Sequence, residues 1–186
     1  MDNDSAMPTI FTHAIAGAAV AQVLAPSSVR RGMTWTAAAC AMLPDADAVG
    51  FWMGVPYFSL FGHRGITHSL TFAGVAALGT AAALRNRVGS HDLLRIAACI
   101  FLATASHGFL DAFTNGGLGV AFFSPFILTR YFFPVRPILV SSISVRGFFT
   151  GRGAAVVANE MIWVWCPAIM IILAAWYVRN RNAQRA

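Results

Sequence analysis

LLRIAACIFLATASHGFLDAF, residues 93–113, is the stretch on which the fold turns. As a helix it is long enough to cross the hydrocarbon core of a bilayer, for which roughly 20 apolar residues suffice. It then closes on His107 and Asp111, spaced i and i+4 and therefore on one helical face. An ionisable side chain at membrane depth costs roughly 2.5–3.5 kcal/mol on insertion scales, so such a pair is a candidate functional site.

Working outward, four more apolar segments cover about 9–25, 33–53, 67–84 and 160–178. The chain of 186 residues is 58% hydrophobic and only 11% charged, against about a quarter charged in soluble domains. The expected architecture is all-α: a polytopic membrane helix bundle of about five transmembrane helices. It forms one membrane-embedded domain, 7–178, followed by a basic cytoplasmic tail, 179–186. The stretch 114–159, rich in Phe, Pro and Arg, is expected to fold over one face of the bundle.

All 13 basic residues are arginines, and they fall in the gaps between the apolar segments, as topology determinants do. They do not form a basic stripe with interleaved aromatics, which argues against nucleic acid as a partner. Arg30, Arg31, Arg85, Arg87, Arg95, Arg179, Arg181 and Arg185 fall on one side of a five-span topology. Arg64, Arg130, Arg136, Arg146 and Arg152 fall on the other, four of them in the long connection that counts less. The N-terminus is therefore expected outside and the C-terminus in the cytoplasm. The opening MDNDSAMPTIF has no basic residue and does not read as a cleavable signal peptide. Cys40, Cys99 and Cys166 are isolated within apolar runs and read as small hydrophobes.

The costly residues converge in this topology. His13 lies near the start of the first segment, and Asp45 and Asp47 lie late in the second. His63 and His68 precede or open the third, His107 and Asp111 close the fourth, and Glu160 opens the fifth. All belong to the outer layer, which places a metal site at the outer membrane edge. In LPDAD (43–47), Pro44 removes a helix hydrogen bond and frees Asp45 and Asp47 from strict helical geometry. In HRGITHS (63–69), Gly65 marks a turn, with His63 on the loop and His68 on the first helical turn. THAIAG (12–17) sets His13 among small residues that allow close helix packing. Each residue alone has a plainer reading: a His–Asp hydrogen bond between helices for SHGFLD, a hydrated polar kink for Asp47, a hydrogen-bonded core histidine elsewhere.

Charge arithmetic joins them. Asp45, Asp47, Asp111 and Glu160 sum to −4 in a low-dielectric layer, so they must be protonated, paired or bound to cations. Arg64 offsets one. Mixed imidazole and carboxylate donors suit zinc, with manganese possible, better than calcium or magnesium. One to three ions, most economically about two, would balance the layer. His91 and Asp92 stand apart, near a helix start, with no chemistry assigned.

THAIAG, LPDAD, HRGITHS, SHGFLD and TNGGLGVAFFSPF (114–126), taken in order from about residue 7 to 142, resemble the bacterial inner-membrane family of predicted metal-dependent hydrolases that includes LexA-regulated members. The order His, Asp, His, HxxxD is also distantly similar to secreted zinc-dependent phospholipase C, from which this chain departs as a membrane bundle without further downstream histidines. The resemblance implies a multi-pass protein of the bacterial inner membrane in which His13, Asp45, His68, His107 and Asp111 bind metal, with His63 a further ligand. It also raises hydrolysis over other activities.

The expected function is hydrolysis of a phosphoester on a membrane lipid or lipid-linked substrate by a metal-activated water. Asp47 or Glu160 is expected as general base, His63 as proton donor to the leaving group, and Arg64 and Arg136 as phosphate-binding groups. Two other classes compete: a metal or proton transporter, whose polar groups should continue towards the other face, and a non-catalytic protein with a closed structural metal site. Oligomeric state is open.

Overall fold

A computed structural model describes residues 6–142 and 152–185. Asp2, Asp4, Arg146 and Ala186 lie outside the described residues. Among the described residues the regular elements are helical apart from a two-residue antiparallel pairing of β1 (Ala6–Met7) with β2 (Ser141–Ser142). Among the described residues the α-helices are α1 (Ile10–Leu24), α2 (Arg30–Met42), α3 (Val49–Trp52), α4 (Leu70–Leu84), α5 (Ser90–Ala112), α6 (Arg152–Glu160) and α7 (Cys166–Ala183). A π-helical turn, Met161–Trp165, joins α6 to α7 without a break.

The boundaries follow from local chemistry. α2 stops at Met42 and gives way to a 3-10 turn over Leu43–Ala48, with Pro44 in its opening positions, where a missing N–H does least harm. The expected single span 33–53 is therefore two short helices with a tight turn between them. Ser69 caps α4, its Oγ accepting from Phe72 N at 3.1 Å. α7 continues through Arg179 to Ala183, so most of the expected basic tail is the end of that helix.

α1 and α5 lie at the centre. α1 packs against α2, α5 and α7, and α5 against α2 and α4. Gly17 allows the α1–α2 approach: a Cβ there would sit 2.5 Å from Ala37 O and 2.6 Å from Ala41 Cβ. Small residues at this contact are the means by which membrane helices come close. Ala21, Ala25, Met33, Ala37, Ile96, Cys99 and Ile100 form the apolar core in one half of the bundle. The buried histidines and carboxylates occupy the other half.

Polarity is inverted relative to a water-soluble protein. Arg64, His13, His107 and Asp111 are fully buried, whereas Trp35, Leu78, Leu94, Met170 and Trp176 face outward. Two helices, Ser90–Ala112 and the continuous Gly153–Ala183, are long and apolar enough to cross a membrane. Ile10–Leu24 and Leu70–Leu84 are apolar but shorter, roughly 22 Å each.

The connection after α5 folds back over the ligand-bearing end. Ala121 N donates to Arg64 O, Leu70 N to Phe122 O and Phe133 N to Ala112 O, all within 3.0 Å. Phe133 stacks on Phe113, with ring centroids 4.2 Å apart.

Candidate metal centre

Four side chains from three parts of the chain meet at the end of the bundle. Asp45 comes from the 3-10 turn after α2, His68 from a second 3-10 turn, Ile66–His68, and His107 and Asp111 from the last turns of α5. His68 Nε2 and His107 Nε2 are 3.0 Å apart. Asp45 Oδ1 lies 3.3 Å from His107 Nε2 and 3.8 Å from His68 Nε2. Asp111 Oδ2 lies 3.3 Å from His68 Nε2 and 3.8 Å from His107 Nε2. All four residues are buried.

The hydrogen-bond partners fix which nitrogens carry hydrogen. His107 Nδ1 faces Ala41 O at 2.7 Å, and a carbonyl only accepts, so Nδ1 is the donor. His68 Nδ1 faces Asp47 Oδ2 at 3.2 Å and Thr67 Oγ1 at 3.0 Å. Thr67 spends its own hydrogen on Asp47 Oδ2, so His68 Nδ1 is again the donor. In the neutral imidazoles both Nε2 atoms then present lone pairs to each other. Two acceptors at 3.0 Å beside two carboxylates have no hydrogen bond to make among themselves.

Around them the orphaned atoms accumulate. Both oxygens of Asp45 and Asp111, both ring nitrogens of His13, and Nε2 of His63 are buried without a hydrogen-bond partner. Buried polar groups are normally satisfied, so such a concentration demands an account. The cluster can hold a metal ion, and an ion gives these donors what the protein does not.

The remaining expected residues surround this group. His13 stacks on His107 with ring centroids 3.7 Å apart, and its Nε2 lies 3.7 Å from Asp111 Oδ1, beside the four-donor group. His63 forms a second group with Asp47 and His68. Its Nδ1 donates to Asp47 Oδ1 at 2.6 Å. Arg64 Nε is 2.9 Å from Asp111 Oδ2, although its N–H does not point along that line, and Nη1 donates to Gly116 O at 2.9 Å. Gly117, at φ +77°, closes over the guanidinium so tightly that a Cβ would come within 2.4 Å of Nη1.

Three expectations are corrected by geometry. Asp47 is not free to act as a general base: its oxygens accept from His63 Nδ1, Arg64 N, Thr67 Oγ1 and His68 Nδ1. It orients the two imidazoles, as carboxylates behind metal-bound histidines do. Glu160 belongs to neither donor group. Its oxygens accept from Thr9 N at 2.6 Å, Thr9 Oγ1 at 2.5 Å and Thr12 Oγ1 at 2.8 Å, fastening α6 to the start of α1. Trp165, in the π turn, adds a bond to Thr12 Oγ1 at 2.8 Å. Arg136 stands exposed, with its guanidinium 4.7 Å from the Phe132 ring centroid, and is not among the buried residues of the site.

The residue missed in its place is Arg130. It donates to His63 O at 2.8 Å and Tyr57 O at 2.6 Å, and lies over the Tyr57 ring at 4.8 Å. Burial raises the pKa of the Tyr57 phenol, whose oxygen accepts from Leu118 N. Thr67, between Ile66 and His68, was also missed. His91 is exposed and Asp92 lies 3.8 Å from it, far from this chemistry in sequence and without part in either group.

Comparison with known proteins places the chain. The model of the family described as YdjM inner membrane protein matches residues 7–183. The inner membrane protein YbcI of Escherichia coli (strain K12) is 34% identical over 174 residues, 94% of this chain and 100% of that protein. No solved structure matches. The chain belongs to the YdjM inner membrane protein family.

Proposed function

We propose that this member of the YdjM family is a metal-dependent hydrolase that cleaves a phosphoester of a lipid or lipid-linked substrate at the outer leaflet. The observation that carries the reading is the pair of opposed Nε2 lone pairs on His68 and His107, flanked by two unpartnered carboxylates.

Asp45, His68, His107 and Asp111 are assigned to hold the ion, with His13 adjacent. The nitrogen–nitrogen and nitrogen–oxygen separations within the group run from 3.0 to 3.8 Å. Mixed imidazole and carboxylate donors this close together would suit zinc, with manganese possible. A divalent ion held by these residues would supply Lewis acidity, lowering the pKa of a water towards about 7 and polarising the phosphoryl oxygen. Asp47 keeps a hydrogen on His63 Nδ1 and so leaves Nε2 as the base. His63 Nε2 takes the proton of the attacking water and returns it to the leaving oxygen as the old P–O bond breaks. Arg64 screens Asp111 and offers its unpartnered Nη2 to a phosphoryl oxygen.

In the membrane we place the N-terminus outside and the C-terminus in the cytoplasm, with about five helices at membrane depth. The arginine distribution supports this orientation. The three short helices are accommodated by packing around α5. The half of the bundle away from the ligands has an apolar core, which argues against a transport path through it.

Complete burial of the four donors favours a second reading, a closed structural metal site. Elemental analysis of detergent-purified protein, beside the His107→Ala/Asp111→Ala variant, tests the site. About one to three equivalents of zinc or manganese, lost in a variant that stays folded, are expected. Release of phosphate or a phosphorylated headgroup from phospholipid, abolished in His63→Ala with metal retained, supports the hydrolase. Metal without turnover on any lipid phosphate supports the structural reading, and a metal-free wild type refutes both.

A further inference from the structure

The other concentration of charge lies at the opposite end of the bundle. Arg30 opens α2, Arg95 lies in the second turn of α5, and Arg179 lies near the end of α7. These three half-buried arginines line one cavity of about 470 Å³ with Val23, Ile171 and Val178. Arg179 donates to Gln22 O at 2.6 Å and Gln22 Oε1 at 3.2 Å. Arg30 Nη2 donates to Ala25 O at 3.2 Å, and its Nε is buried without a partner. Among the described residues none of the three forms an ion pair with a carboxylate. Burial, then repulsion from Arg179 and Arg95, lowers the pKa of Arg30. Three facing guanidiniums with only neutral partners call for an anion.

A second space, about 560 Å³, runs alongside between α1, α5 and α7, and its lining is almost wholly apolar. Val23 and Ile171 line both, so the two adjoin. From Leu110 to Arg95 the furrow follows α5 for about 22 Å, more than the roughly 15 Å depth of one leaflet's hydrocarbon.

We propose that this furrow holds an anionic phospholipid of the leaflet on the arginine side, with its phosphate on Arg30, Arg95 and Arg179 and one acyl chain along α5. The triad supplies charge complementarity, and the adjoining apolar furrow distinguishes a lipid from a free anion. A zwitterionic headgroup would bring a cation towards three others. The arginine triad is separate from the metal centre, since His107 lies about 18 Å further along α5 than Arg95.

The test uses the full chain, delipidated in detergent, and native mass spectrometry with phosphatidylglycerol, phosphatidylcholine of the same acyl chains, and inorganic phosphate. Phosphatidylglycerol is expected to bind at least about tenfold more tightly than phosphatidylcholine. Arg95 makes no side-chain hydrogen bond among the described residues, so Arg95→Gln leaves no orphaned partner and should weaken phosphatidylglycerol about fivefold. Arg95→Lys and the distal Arg181→Gln should stay within about twofold of wild type. Ala168→Phe, which fills the furrow, should displace lipid without changing phosphate binding. Equal affinity for the two lipids, or equal losses in Arg95→Gln and Arg181→Gln, overturns the proposal. So does phosphate binding as tightly as lipid with Ala168→Phe having no effect, which assigns the triad to a free anion.

Discussion

Replacing Glu160 separates a fastener from a catalytic base. Three donors converge on its carboxylate: Thr9 N, Thr9 Oγ1 and Thr12 Oγ1. Thr12 is fully buried, so water cannot take over its bond, whereas Thr9 is only half-buried and can be partly rehydrated. Each unmet buried donor costs about 1–3 kcal/mol. Counting Thr12 in full and Thr9 in part, Glu160→Ala should cost about 3–5 kcal/mol. For a chain of this size that corresponds to about 6–20 °C in the unfolding midpoint. Glu160→Gln keeps an oxygen for Thr9 N and should lose about 1–2 kcal/mol. Thermal unfolding in detergent, followed by tryptophan fluorescence, reads both, and metal content is measured on the same samples. The expected pattern is graded loss of stability with metal bound at wild-type stoichiometry. An unchanged midpoint in Glu160→Ala, or intact stability with loss of metal or turnover in Glu160→Gln, would refute the fastening role.

Asp47→Asn should leave the chain folded but weaken metal affinity about 10–100-fold, because the hydrogen on the ligand His68 Nδ1 loses its charged acceptor. A competition titration with a zinc chelator measures this, and unchanged affinity would remove Asp47 from the support of the site. Arg130→Ala strips a charged donor from two backbone carbonyls and should cost about 2–3 kcal/mol, while Arg136→Ala should stay within about 0.5 kcal/mol. Comparable midpoints for these two variants would contradict the contrast between them. Gly17→Val forces Cβ against Ala37 O, so overpacking should lower the midpoint by at least about 4 °C; at Gly79, where a Cβ meets open space, Gly79→Ala should not lower it.

Much of the site was legible because its residues are expensive where they stand. An apolar run ending in His107 and Asp111 needs no partner to be noticed, and the alternation of segments brought His13, Asp45, His63 and His68 to the same end. The roles of individual carboxylates were not legible. Asp47 is committed to Thr67 and Arg64 N by the shapes of two 3-10 turns, and no periodicity reports such turns. Glu160 finds Thr9 and Thr12 across 151 and 148 residues of chain. Arg130 and Arg136 look alike within FFSPFILTRYFFPVRP, and only the path of that irregular connection decides which one reaches His63. The length of segment two was overestimated because hydropathy does not register the break that Pro44 imposes.

Pro44 also has an effect beyond ending α2. In a 3-10 turn, residue 44 would donate its N–H to Ala41 O, and proline has none. Ala41 O instead receives the hydrogen of His107 Nδ1. A pyrrolidine ring in one helix thereby selects the tautomer of an imidazole in another, and turns its basic nitrogen towards His68. The protein's Lewis-base geometry is thus written partly in a residue that has no side-chain chemistry of its own.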